Sequence, residues 1–200
     1  MSIDPSRFCS LNVADTCAVW NVLSSVLLYQ TARQAGCSFC CTVFVEYECL
    51  HKPRKKPSAE DDELRRRLQR ARDNGAFTAH SLDIADLQNV ALLENRKRLS
   101  KGELSAIAFA MKTCQAFLTD DGAARKLAEG VMERGMVQTT PHLFGWLVFT
   151  QRLSDGEKDI VIGQHAGAGR PLGEQFATAY REALRCRLMA GVSHPGIPSS

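Results

Sequence analysis

The chain has 200 residues, of which 44% are hydrophobic, and this content is enough to fill the core of one domain. Its 25 basic and 22 acidic residues give a formal net charge of +3, so the total charge favours no class of partner. The eight cysteines do not indicate a short secreted disulfide scaffold, because no charged segment followed by an apolar core and a cleavage site is recognisable. We therefore expect reduced thiols in a cytoplasmic protein.

The first part of the chain alternates between strand-like and helix-like segments. Residues 8–14 are predicted to form a short apolar strand, residues 16–34 a helix, and residues 37–42, after a helix stop at Gly36, a second strand. The most apolar part of that helix, residues 17–28, is shorter than the roughly 20 residues that span a bilayer, and polar side chains interrupt it. No membrane segment is expected.

The middle of the chain is predicted to be mainly helical. A second helix covers residues 43–51 and ends before Lys52-Pro53, because the residue before a proline disfavours the helical conformation. The next predicted elements are, in chain order, a charged helix at residues 58–73, a β-like piece at 76–80, a helix at 84–95 and a helix that begins within 100–103.

The same alternation continues towards the C-terminus. The predicted elements are a strand at residues 115–119, a helix at 122–134, a strand at 136–139 and a helix at 141–153. The pattern predicts an α/β fold, a three-layer α/β/α sandwich with a central parallel sheet, over residues 1–155. Residues 156–200 are predicted to form a C-terminal helical appendage, with a loop at 163–173, one helix at 174–189 and a frayed tail at 193–200.

Acidic residues follow two of the predicted strands. Asp15 follows the first strand, and Asp120 and Asp121 follow the strand at residues 115–119. Ligands of an open parallel sheet gather beyond the carboxyl ends of its strands, so these side chains are candidates for a site. Each aspartate also fits a simpler interpretation, the N-cap of the helix that follows.

Three glutamates extend this acidic set. Ser100 and Glu103 have the spacing of a capping box, which requires no metal. Glu46 and Glu48 lie in the apolar segment 40–50, where a charge must reach water or a partner. Four or five acidic groups are thus predicted to converge on one end of the sheet.

The order and spacing of these acidic segments resemble the motifs of the PIN-domain family over about residues 11–153. The resemblance rests on a glutamate of the second helix and on the segments Val13-Ala14-Asp15-Thr16, Gly102-Glu103-x-x-Ala106-Ile107-x-x-Ala110 and Leu118-Thr119-Asp120-Asp121-x-x-Ala124-Arg125. It implies a PIN-like fold with the catalytic residues Asp15, Glu48, Glu103 and Asp121. Glu46 is the alternative to Glu48, and Asp120 can replace or accompany Asp121.

The resemblance also implies the chemistry of the site. It implies a metal-dependent ribonuclease that leaves a 3′-hydroxyl and a 5′-phosphate. Its implied metal ligands are Asp15, Glu48, Glu103, Asp120 and Asp121. Clustered carboxylates repel one another unless a cation neutralises them, and hard oxygen ligands favour Mg²⁺ or Mn²⁺. The choice between one ion and two is left open.

The expected partner is an RNA substrate. Basic residues for its backbone are available in residues 52–56, in residues 65–72 and at Arg125 and Lys126, although a solvated helix face explains residues 65–72 equally well. The family also includes toxins of toxin–antitoxin pairs, so a cognate antitoxin and a homodimer are further partners that the resemblance implies.

Two alternatives remain beside this interpretation. One is a non-catalytic PIN-like module that binds RNA or a protein and uses its acidic residues as helix caps. The other is a zinc site at Cys37-x-x-Cys40-Cys41, which is disfavoured because no second Cys-x-x-Cys is present and because a strand directs successive side chains to opposite faces.

Overall fold

A computed structural model describes residues 4–53, 58–96, 99–170 and 172–192. Its centre is a sheet of five parallel strands in the order β3-β2-β1-β4-β5. The strands are β1 (Leu11–Ala14), β2 (Ser38–Thr42), β3 (Phe77–His80), β4 (Ala116–Leu118) and β5 (Val137–Gln138). Helices flank this sheet, and the predicted three-layer α/β/α class is confirmed.

The helices, in chain order, connect these strands and then extend beyond the last of them. They are α1 (Thr16–Ser24), α2 (Val26–Gln34), α3 (Val43–Leu50), α4 (Ala59–Asp73), α5 (Ile84–Arg96), α6 (Lys101–Thr113), α7 (Gly122–Glu129), α8 (Thr140–Phe149), α9 (Asp155–Gly167) and α10 (Gly173–Val192). No helix of the described segments is long and apolar enough to cross a membrane.

The central strands are apolar because helices cover both of their faces. Val13 and Ala14 of β1 and Phe117 and Leu118 of β4 are fully buried, as expected for inner strands of a parallel sheet. Ala14 pairs with Leu118, which pairs in turn with Gln138 of β5. These three strands therefore end at the same level, and the residues that follow them lie along one edge of the sheet.

The single helix predicted at residues 16–34 is instead two helices, separated at Ser25. Ser25 has an extended backbone (φ −109°, ψ 114°), and its Oγ accepts a hydrogen bond from the amide of Leu28 at the start of α2. The hydroxyl of Ser25 also donates to Oε1 of Gln164 on α9 at 2.7 Å. Arg67 of α4 donates to the carbonyl oxygens of residues 23 and 24 at 2.9 and 3.1 Å. Partners distant in sequence thus stabilise the break.

The prediction of a loop at residues 163–173 and of one helix after residue 155 was wrong. Among the described residues two helices follow residue 154, because α9 continues through Gly163 to Gly167 and α10 begins at Gly173. Val161 of α9 and Phe176 of α10 are fully buried and belong to the main hydrophobic core. The expected tail at residues 193–200 lies outside the described residues.

Candidate functional site at the carboxyl edge of the sheet

Asp15 is the most deeply buried acidic residue of the candidate site. Its side chain is 0% exposed; Oδ1 accepts from the amide of Ala18 at 2.7 Å, and Oδ2 accepts from Oγ1 of Thr119 at 2.5 Å. Burial raises the pKa of Asp15 to about 7; the hydrogen bonds from Thr119 and Ala18 oppose this shift, and the charges of Asp120 and Glu103 add to it. Asp15 caps α1 as expected, but it also lies where negative charge is unfavourable.

Thr119 connects Asp15 to Asp121. The amide of Asp121 donates to Oγ1 of Thr119 at 3.1 Å, while the same hydroxyl donates to Asp15. Oδ1 of Asp121 accepts from the amides of Ala123 and Ala124, both at 2.7 Å, and so forms the N-cap of α7. One hydroxyl therefore fixes the relative positions of two of the predicted catalytic aspartates.

Asp120 has a different set of partners. Its Oδ1 accepts from the amide of Thr140 at 2.9 Å, and its Oδ2 accepts from Oγ1 of Thr140 at 2.6 Å and from Nδ2 of Asn21 at 2.7 Å. Burial raises the pKa of Asp120 against the effect of these hydrogen bonds and of the positive charge of Arg125. Arg125 and Lys126 of α7 are both exposed. Asp120 thus links the end of β4 to α1 and α8.

Glu48 lies between Thr16 and the first turn of α6. Oγ1 of Thr16 donates to Oε2 of Glu48 at 2.6 Å, and Nζ of Lys52 lies 3.9 Å from Oε1. A Cβ atom on Gly102 would lie only 2.5 Å from Oε2 and 2.9 Å from Cδ of Glu48. The absence of a side chain at Gly102 therefore provides the space that the Glu48 carboxylate occupies.

Glu46, the alternative to Glu48, points towards another part of the molecule. Its Oε1 accepts from Nη1 of Arg72 on α4 at 2.6 Å. Glu48, in contrast, contacts the residues adjacent in sequence to Asp15 and Glu103. The structure thus brings Glu48 to the carboxyl edge and places Glu46 in an ion pair with α4.

Glu103 forms the capping box that the sequence predicts. Its Oε2 accepts from the amide of Ser100 at 2.7 Å, and its own amide donates to Oγ of Ser100 at 3.2 Å. Its negative charge is nevertheless close enough to Asp15 to contribute to the raised pKa of that residue. A hydrogen bond of 2.7 Å between the hydroxyls of Thr42 and Ser105 fixes this end of α6 to the end of β2.

The five predicted ligands are therefore neighbours at one edge but are held by protein donors. Within residues 4–53, 58–96, 99–170 and 172–192, no three His, Cys, Asp or Glu side chains are grouped as a metal centre. The sequence did not predict Asn21 and Thr140 as residues that position the carboxylates, and it did not predict this role for Thr16 and Gly102, although both lie in the motif segments. A signal existed for Thr16, which is adjacent to Asp15, and for Thr140, which precedes a proline as helix starts often do.

Four of the arginines in residues 65–72 contact acidic side chains or backbone carbonyls: Arg65, Arg66, Arg67 and Arg72. Arg67 binds the C-terminal carbonyls of α1, and Arg72 pairs with Glu46. Lys52 is exposed beside Glu48. The rest of the predicted basic segment, residues 54–56, lies outside the described residues.

Four of the cysteines, Cys17, Cys37, Cys40 and Cys41, have thiols with raised pKa values. Cys37, Cys40 and Cys41 are buried, and burial raises the pKa of their thiols to about 11, about 11 and about 12. Cys17, in the first turn of α1, has a pKa raised to about 12 by burial and by the charge of Asp15. These thiols are protonated at neutral pH, so none of them is prepared as a thiolate ligand or nucleophile.

Comparisons of the chain with models of known protein families, with curated proteins and with solved structures found no match.

Proposed function

We propose that the protein is a metal-dependent ribonuclease of the PIN-domain type, with Asp15, Glu48, Glu103 and Asp121 as its catalytic carboxylates. The observation that supports this most is Asp15: a fully buried carboxyl group at the carboxyl edge of a parallel sheet, with a pKa raised to about 7 and the charges of Asp120 and Glu103 nearby. A carboxyl group needed only as a helix cap gains nothing from such an environment.

The donor set fits Mg²⁺ or Mn²⁺, with Asp120 as a fifth ligand. All five side chains offer hard carboxylate oxygens, and a divalent cation would stabilise the ionised form of Asp15 and Asp120, whose pKa values burial raises. When bound, such an ion polarises a phosphoryl oxygen and lowers the pKa of a bound water, so the protein needs no nucleophilic side chain.

Protein groups around the carboxylates fix their positions. Thr119 holds Asp15 relative to Asp121, and Thr16 holds Glu48 at 2.6 Å. These hydroxyls correspond to the outer hydrogen bonds that orient metal ligands in proteins. The proposed substrate is RNA, whose phosphate would meet the carboxylates through the ion.

A second candidate is a non-catalytic module that binds RNA or a protein. One observation favours it: Asp15, Glu103 and Asp121 all accept hydrogen bonds from backbone amides as helix caps. In that case the carboxylates stabilise helix ends and have no further chemistry. The two candidates predict different effects of Asp→Asn and Glu→Gln substitutions at these positions. A ribonuclease would lose RNA cleavage, whereas in a binding module only the stability would change.

RNA cleavage assays with Mn²⁺, with Mg²⁺ and with EDTA test the proposal. We expect cleavage only with metal, and a loss of at least about a hundredfold in Asp15→Asn and Glu48→Gln proteins that remain folded. Glu46→Gln is the matched control, since it makes the same change on the same helix but at a residue paired with Arg72. Full cleavage by a folded Asp15→Asn protein, or equal losses in Glu46→Gln and Glu48→Gln, would contradict the assignment.

A further inference from the structure

A groove opens beside Glu48, between the exposed side of α3 and the beginning of α6. Its cavity volume is about 540 Å³, within the range of small-ligand sites. The residues used below are Val43, Tyr47, Glu48, Lys52 and Lys101, which all line it. We propose that this groove binds one nucleotide of a single RNA strand, with its base stacked on Tyr47 and its phosphates near Lys52 and Lys101. This inference rests on the proposed ribonuclease function.

The apolar part of the groove offers a surface for stacking. Tyr47 is 53% exposed, and Val43, one helical turn earlier on the same side of α3, is 37% exposed. A base stacked on the tyrosine ring would remove both side chains from water. Because every base has a π face, such a contact tolerates any sequence.

The charged part of the groove complements a polyanion. Lys52 and Lys101 have side chains that are 59% and 56% exposed. Nζ of Lys52 lies 3.9 Å from Oε1 of the largely buried Glu48, which is a long contact, and Lys101 lies 2.7 Å from Glu94 in an exposed ion pair, a kind that contributes little to stability. Both ammonium groups can therefore turn to a phosphate.

Glu48 connects the groove to the proposed cleavage site. Its side chain lines the groove, and the same carboxylate accepts the hydrogen bond from Thr16, next to Asp15. A strand whose scissile phosphate lies at the carboxylates would therefore place a neighbouring nucleotide in the groove. An apolar protein segment could use the Tyr47 surface, but it would offer no negative charge to the two exposed ammonium groups, so RNA is the occupant that the residues favour.

The test uses fluorescence anisotropy with short fluorescein-labelled single-stranded oligoribonucleotides, in EDTA and again with Mn²⁺ in Asp15→Asn protein, so that no cleavage occurs. We expect Tyr47→Ala to weaken binding at least about fivefold, whereas Tyr47→Phe, which keeps the ring, binds like the wild type. Lys52→Ala and Lys101→Ala should each reduce the slope of log affinity against log salt by about 0.7. Met111→Ala, at the other end of α6, is the control for loss of an exposed apolar side chain.

The possible results distinguish the groove proposal from the proposed metal site. Wild-type affinity in Tyr47→Ala would overturn the groove proposal, while loss of cleavage in Asp15→Asn would still support the ribonuclease. Failure of the wild type to bind any oligoribonucleotide would overturn it as well. Weaker binding by Tyr47→Ala together with an unchanged Mn²⁺ stabilisation of that variant supports the nucleotide subsite as distinct from the carboxylates.

Discussion

The hydroxyl of Thr119 donates a hydrogen bond to Oδ2 of Asp15 and so joins the ends of β1 and β4 in the interior of the protein. This bond stabilises the ionised form of Asp15, yet burial has the larger effect and raises the pKa to about 7. The charge on Asp15 is therefore sensitive to pH in the neutral range, where ordinary aspartates remain ionised.

The first prediction is a pH dependence of the metal-free protein. The pKa of Asp15 is about 7 when folded and near 3.8 when unfolded, so the folded state binds more protons between about pH 4 and pH 7. The contribution of Asp15 to stability should therefore fall as pH rises through this window, by up to about 4 kcal/mol. Urea unfolding in EDTA at several pH values measures the effect. Asp15→Asn should remove this part of the slope, and identical profiles for both proteins would contradict the shifted pKa.

The second prediction separates stability from function at Gly102. In Gly102→Ala, the new Cβ would lie 2.5 Å from Oε2 of Glu48, so the carboxylate must move away from Thr16. Alanine is a better helix former than glycine by up to about 1 kcal/mol, so the melting temperature should fall little or rise. RNA cleavage and stabilisation by Mn²⁺ should both decrease. Gly163→Ala on α9, where a Cβ meets nothing within 4 Å, is the control and should change neither.

The third prediction concerns stabilisation by Mn²⁺. An ion that binds only the folded state contributes about 2.7 kcal/mol at a hundredfold excess over Kd, which for a chain of this size raises the melting temperature by about 5–10 °C. Asp121→Asn should reduce this shift but keep the metal-free melting temperature, because asparagine can still accept from the amides of Ala123 and Ala124. Scanning fluorimetry with EDTA and with Mn²⁺ measures both quantities. Equal shifts in the two proteins would exclude Asp121 as a ligand.

The fourth prediction concerns His165, outside the candidate site. His165 is 0% exposed beside Phe176, and neither ring nitrogen has a hydrogen-bond partner among the described residues. Burial, with the charge of Arg170, lowers its pKa from 6.5 to about 4, so the folded state opposes protonation.

Stability contributed by neutral His165 is complete above pH 6.5 and is lost as pH falls towards 4. The stability advantage of His165→Leu over the wild type should therefore grow by about 2 kcal/mol between pH 7 and pH 5. Denaturant titrations at the two pH values measure this difference. Replacement of the exposed His51 by leucine is the control for a histidine-to-leucine change outside the core, and a constant difference for His165→Leu would refute the lowered pKa.

Local patterns predicted the parallel sheet and the order of strands and helices along the chain, because apolar runs and helix stops are local features. The strands and the helices that follow them occur where expected, although α7 ends at Glu129 and not at residue 134. The predictions failed where distant partners decide the structure. Ser25 ends one helix and begins another because Gln164 and Arg67 satisfy the exposed backbone and hydroxyl groups, and neither partner is visible in the local sequence.

The candidate site was likewise predictable where it depends on local sequence, and not where it depends on distant partners. The acidic residues and their caps are recognisable from the sequence, because a cap depends on residues three or four positions away. The resemblance already preferred Glu48 to Glu46, but the contacts that hold Glu48 at the edge, with Thr16 and Gly102, join residues that no helical periodicity connects to it. The sequence also could not decide whether the basic face of α4 binds RNA or faces solvent, since only the fold shows that Arg72 forms an ion pair with Glu46.

The packing of α10 on α8 makes the core depend on a late part of the chain. The ring of Phe176 lies 5.0 Å from that of Phe144, and a Cβ on Gly145 would already be 3.4 Å from Ala179. The candidate carboxylates are all translated before these residues of α10, by several seconds at ordinary rates of synthesis. Until α10 has been made, the part of α8 that it covers lacks this partner, so a nascent chain carries every carboxylate of the site but an incomplete core.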